Sequence, residues 1–97
     1  MSVALAEAPV VDPLDFTATD VTGSSYLEFP AIDGYRLTED VASSVAEAME
    51  LPTNVPWALR DEESARMLQD DRPIGSQIRP KAKLTVIPKS HLGGAQA

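Results

Sequence analysis

Residues 38–51 read TEDVASSVAEAMEL. Val41, Val45, Ala48 and Met49 recur at i, i+4, i+7 and i+8, which puts them on one face of an α-helix. Thr38 is placed to cap the helix, and Glu39 and Asp40 suit the positive end of its dipole. Pro52 stops it. No other segment has this period. One amphipathic helix cannot bury its stripe alone, so the rest of the chain must supply a sheet face, and the expected class is a two-layer α+β domain.

The segments on either side supply that sheet. LDFTATDV (14–21) alternates, with Leu14, Phe16 and Ala18 on one side and Asp15, Thr17 and Thr19 on the other, the period of a half-buried strand. VTGS (21–24) brings Gly23 for a turn, and SSYLEF (24–29) is the return strand, with Leu27 and Phe29 on one face and Tyr26 and Glu28 on the other. Asp33-Gly34 offers a rival hairpin turn, which would make Tyr35 to Leu37 a strand. After the helix, VPWALR (55–60) reads as a short strand with Trp57 and Leu59 on one face and Ala58 on the other. RML (66–68) is another, with Met67 or Leu68 inward. QDDRPIGSQI (69–78) is a loop with Ile74 and Ile78 as apolar plugs. KAKLTVIP (81–88) is the last strand, with Leu84 and Val86 inward and Lys83, Thr85 and Ile87 outward. The order is ββαβββ, a mixed sheet wrapping one helix. The first and last strands are expected to pair in parallel at its centre.

At 97 residues the chain holds one domain. A domain this size buries only about 60–65% of its unfolded surface. Residues 1–13, rich in Ala, Val and Pro, read as a flexible arm, residues 14–88 as the domain, and 89–97 as a flexible tail. There is no cysteine, which excludes a disulfide, a thiol nucleophile and any Cys-based metal site. The single histidine, His91, falls in the tail, so neither a zinc site nor a Ser-His-Asp triad is expected, and the chain does not read as an enzyme. Nor do the residues suggest a cofactor.

The net charge is −7 and unevenly spread. Residues 1–78 hold all fifteen carboxylates and four arginines, a net of −11; residues 79–97 hold Arg79, Lys81, Lys83 and Lys89, a net of +4. That asymmetry either steers a partner or keeps a strand solvated. The overall acidity argues against nucleic acid. No apolar run is long enough to span a membrane. The start lacks a positive n-region, so a cytoplasmic location is expected.

MLQDDRPIGSQIRPKAKLTVIPKSHLGG (67–94) resembles the C-terminal half of ubiquitin. Leu68, Asp70, Arg72, Ile74, Ile78, Leu84, Val86 and the Gly93-Gly94 pair fall at corresponding places. The element order over residues 14–94 is similar too, with a longer loop before the helix. The resemblance implies a β-grasp fold and a protein modifier. Its C-terminal carboxylate, here that of Gly94, would be adenylated by an activating enzyme, passed through a conjugating enzyme and joined to a target amine. Glycine suits such a tail because a backbone without Cβ passes through tight channels. Ala95, Gln96 and Ala97 would first be removed, which implies a processing peptidase, a zinc-dependent one fitting the pattern. Of ubiquitin's aliphatic recognition patch, the third-strand position falls on Ala58 and the fifth-strand position on Ile87. Lys89, His91 and Leu92 stand where enzymes would read the tail, in place of an Arg-rich stretch. In these departures the chain looks most like bacterial ubiquitin-like proteins encoded beside their own activating, conjugating and peptidase enzymes. Two other readings stay open. One is a sulfur carrier using a Gly94 thiocarboxylate, and the other is a β-grasp interaction module without tail chemistry.

Overall fold

The computed structural model describes residues 10–90. Five strands and one helix follow in the order β1 (Leu14–Asp20), β2 (Tyr26–Ile32), α1 (Thr38–Ala48), β3 (Trp57–Asp61), β4 (Arg66–Met67) and β5 (Ala82–Pro88), with a 3-10 turn at Ile74–Ser76. The sheet order is β2-β1-β5-β3-β4. β1 and β5 run parallel, Phe16 opposite Ala82 through Asp20 opposite Val86, and all other pairs are antiparallel. A chain can place its first and last strands side by side in parallel only through a long crossover, which here contains the helix, β3 and β4.

The hairpin turns at Gly23, whose φ of +76° is left-handed backbone that favours glycine. The rival turn does not make a hairpin. Asp33 instead bends the chain toward the helix: its carbonyl accepts from the Arg36 N–H at 3.2 Å and its carboxylate from the Tyr35 N–H at 2.9 Å.

Inward alternation on β1, β3 and β5 brings Leu14, Phe16, Ala18, Leu59, Leu84 and Val86 under α1, and Ile74, Ile78 and Leu68 close the core below. Phe16 stacks on Phe29 with ring centroids 5.2 Å apart. Trp57 is half-buried, and its indole N–H donates to the Pro52 carbonyl at 2.7 Å.

The helix corrects two expectations. Its buried face is Thr38, Val41, Ala42, Val45 and Ala46, with Met49 just beyond, while Ala48 is exposed. At about 100° per residue, Ala42 and Ala46 draw the buried arc roughly a quarter turn away from Ala48, because two small side chains let the helix sit close to the sheet. Thr38 is not the cap. Leu37 occupies that position without a side-chain hydrogen bond, and Thr38 lies one residue inside, fully buried. The first helical N–H groups are satisfied from a distance: Thr38 N–H by the Arg72 carbonyl at 3.0 Å and Glu39 N–H by the Asp70 carbonyl at 3.1 Å.

Within the segment read as an arm, Val11 packs against the core and its N–H donates to the Gly75 carbonyl at 3.0 Å. Asp12 accepts from the Gly34 N–H at 3.1 Å. Gly34 and Gly75 flank the Val11 carbonyl so closely that a Cβ on either would overlap it.

Candidate functional site

β5 lies in the middle of the sheet, and the residue that follows it is held by two contacts. Pro88 lies opposite Trp57 in the β3–β5 ladder. One residue on, the Lys89 N–H donates to the Pro56 carbonyl at 3.0 Å. The Lys89 ammonium pairs with the Asp70 carboxylate, both side chains being about one-third exposed (36% and 31%). Lys89 is therefore a fixed base at the end of β5, anchored to the loop before β3 and the loop after β4.

Asp70 owes its position to a small polar cluster. Gln77 Nε2 donates to Thr38 Oγ1 at 2.7 Å and to the Gln69 carbonyl at 2.9 Å, while Gln77 Oε1 accepts from the Gln69 N–H at 2.6 Å. The Thr38 hydroxyl in turn donates to the Arg72 carbonyl at 2.8 Å. These bonds, with the helix N–H groups, clamp residues 69–72 against the start of α1. The clamp sets Asp70 in reach of Lys89.

Two residues expected at an outer recognition face are placed differently. Ile87 is half-buried on the face of β5 turned away from the helix. Ala58 stands opposite it in the ladder but is only 4% exposed, so it does not present the surface expected of it. A one-carbon side chain beside Ile87 does not rise to the surface that its neighbours define. His91, Leu92, Gly93, Gly94 and Ala95 lie outside the described residues, so the structure brings Lys89, Ile87 and Ala58 to one end of the sheet and is silent on the rest. Asp70, Pro56, Thr38 and Gln77 were not expected near the tail. The only sequence signal was Asp70 itself, an acid in a loop at the place matched in the resemblance, with no indication of its partner.

Among the described residues no group of three or more His, Asp or Glu could hold a metal ion, and no helix is long and apolar enough to cross a membrane. Among the described residues, one carboxylate has a displaced titration. Asp20, in the β1–β2 turn, is held below the ordinary aspartate value chiefly by the Thr22 hydroxyl (2.8 Å), opposed by some desolvation and helped by backbone N–H groups of the same turn. It lies in the hairpin turn and takes no part in the tail base.

No family model matches the sequence, and no curated protein matches it. Among solved structures, the chain is similar to the ubiquitin of Caldiarchaeum subterraneum, with a TM-score of 0.62 and 19% identity over 77% of this chain and 91% of that one. At that identity the likeness concerns the fold, and it agrees with the element order, the parallel β1–β5 pair and the single helix described above. The chain has the ubiquitin-like β-grasp fold.

Proposed function

We propose that this protein is a ubiquitin-like modifier, cut after Gly94 and joined through the Gly94 carboxylate to amines on target proteins. The observation that carries the proposal is the junction of a β-grasp domain with its exit. A central strand ends at a tethered Lys89, and the sequence beyond runs Ser-His-Leu to Gly93-Gly94. Beyond the Gly94 carboxylate itself, the chain contributes no nucleophile. Its carboxylate attacks the α-phosphate of ATP on an activating enzyme and expels pyrophosphate. The acyl group then passes to an enzyme thiol with loss of AMP, and finally to a target amine with release of the thiol. Lys89, His91, Leu92 and Ile87 are the residues that such enzymes would read. A processing metallopeptidase would expose Gly94 and later cleave the conjugates.

The test is a tagged full chain incubated with ATP in lysate of its source organism, followed by intact mass and denaturing gels. The expected result is loss of the residues after Gly94 and formation of covalent adducts, both absent for Gly94→Asp. Replacement of one oxygen of the new terminal carboxylate by sulfur, without adducts, would replace conjugation with sulfur transfer. An unchanged mass and no adducts would refute both.

A further inference from the structure

The sheet edge formed by β4 borders a groove that no part of the tail proposal uses. Its floor is Leu68 and Ile78, both buried, with Met67 37% exposed beside them. Arg66, Arg72 and Arg79 surround it, all exposed. None of the three forms an ion pair or a side-chain hydrogen bond with a described residue, in a chain that carries fifteen carboxylates. The carboxylates lining the groove are few. Asp61 is 8% exposed and already accepts from the Glu63 N–H and the Ser64 hydroxyl, at 3.1 Å each, which leaves Glu63 as the one exposed acid.

The edge also has unused backbone. Leu59 opposite Leu68 is a hydrogen-bonded pair, with the Leu68 N–H donating to the Leu59 carbonyl at 2.9 Å. Bonded and non-bonded pairs alternate in an antiparallel ladder. Met67, opposite Arg60, therefore turns its N–H and C=O away from β3. An extended peptide can add to such an edge, taking affinity from main-chain bonds and specificity from alternate side chains.

We infer that this groove binds an extended acidic segment of a partner protein, laid along β4 with apolar side chains on Met67 and Ile78 and carboxylates on Arg66, Arg72 and Arg79. Charge complementarity selects the occupant. Three guanidinium groups that pair with no described residue, around an apolar floor, match carboxylates at alternate positions, each able to take a bidentate pair. The negative charge elsewhere on the chain does not cancel this, because at physiological salt a field is screened within about 8 Å. The inference uses residues of the folded domain only, so it stands or falls apart from conjugation at Gly94.

The test titrates ¹⁵N-labelled full chain with the blocked hexapeptide Glu-Val-Glu-Val-Glu-Val and with its Lys-for-Glu counterpart. The expected result is saturable shifts in the amides of residues 66–69 and 76–79 with the acidic peptide alone. Binding should weaken by about tenfold or more in Arg66→Gln/Arg79→Gln, whose spectrum otherwise matches the parent. Equal binding of the Lys peptide, shifts centred elsewhere, or no saturable shift at millimolar peptide would overturn it. So would a dependence of the same amides on protein concentration alone, which would assign the groove to a second copy. A nitroxide on Ser2→Cys, in a chain with no other cysteine, covers the chain's own residues 1–9: selective broadening of the groove amides would assign the groove to them instead.

Discussion

Replacing Thr38 by valine keeps the shape of a fully buried side chain and deletes one hydroxyl. That hydroxyl donates to the Arg72 carbonyl and accepts from Gln77 Nε2. Neither partner is left bare, since the Arg72 carbonyl still accepts from the Thr38 N–H at 3.0 Å and Gln77 Nε2 still donates to the Gln69 carbonyl at 2.9 Å. The loss is therefore that of two ordinary hydrogen bonds rather than of two unsatisfied groups, about 1–2 kcal/mol. For a domain of this size that lowers Tm by roughly 5–15 °C. Urea denaturation should show a lower midpoint with an unchanged slope, because the surface exposed on unfolding is the same. A double-mutant cycle with Gln77→Ala isolates the shared bond, with an expected coupling of about 0.5–1.5 kcal/mol. A Thr38→Val cost within error of zero, or a cycle without coupling, would refute the clamp as the device that fixes residues 69–72.

Three further outcomes are expected. Asp70→Asn should cost less than about 1 kcal/mol in global stability, since the Lys89 pair is partly exposed, yet it should raise hydrogen exchange at the Lys89 N–H. Unchanged exchange there would mean that Pro56 alone holds the base. The Asp20 carboxyl should titrate below an ordinary aspartate in ¹³C-detected NMR, and Thr22→Ala should move it upward; its stabilising contribution is present above the unfolded aspartate value and is lost as pH falls through the lower folded value. An unshifted midpoint would rule out the turn bonds. Gly75→Ala should displace Val11, whose carbonyl meets the new Cβ, lowering Tm and freeing the Val11 N–H to exchange. A variant as stable and as protected as the parent would show that the Val11 contact is unimportant.

The strands, the helix and the Gly23 turn were legible because each rests on local periodicity or a local conformational need. Alternation at Leu14, Phe16 and Ala18 and at Leu84 and Val86 faces the core as it reads, and Ile74 and Ile78 plug it as their loop suggested. Periodicity reached only as far as a two-layer α+β domain; the β-grasp expectation came from the resemblance to ubiquitin, and the fold bears it out. What could not be read is what depends on distant partners. Thr38 carries a capping residue type at a helix start, but the orphan N–H groups were met by carbonyls more than thirty positions away, and the hydroxyl was spent elsewhere. Ala48 fits the helical stripe by spacing, yet the sheet decided which arc was buried. Ala58 shows that position on the outer face does not grant exposure to a small side chain. The Lys89–Asp70 pair joins residues 19 apart in sequence, and only the clamp on residues 69–72 brings them together.

Because β1 and β5 run side by side in the same direction, the start of one and the end of the other point to opposite ends of the sheet. Tension applied between Leu14 and Pro88 slides the two strands along each other and loads all the bonds from Phe16–Ala82 to Asp20–Val86 together. The same force applied across the β1–β2 hairpin, between Leu14 and Ile32, opens an antiparallel ladder one bond at a time. The domain is thus mechanically anisotropic. It should yield at low force when β2 is pulled from β1 and resist when it is hauled by its tail against its first strand.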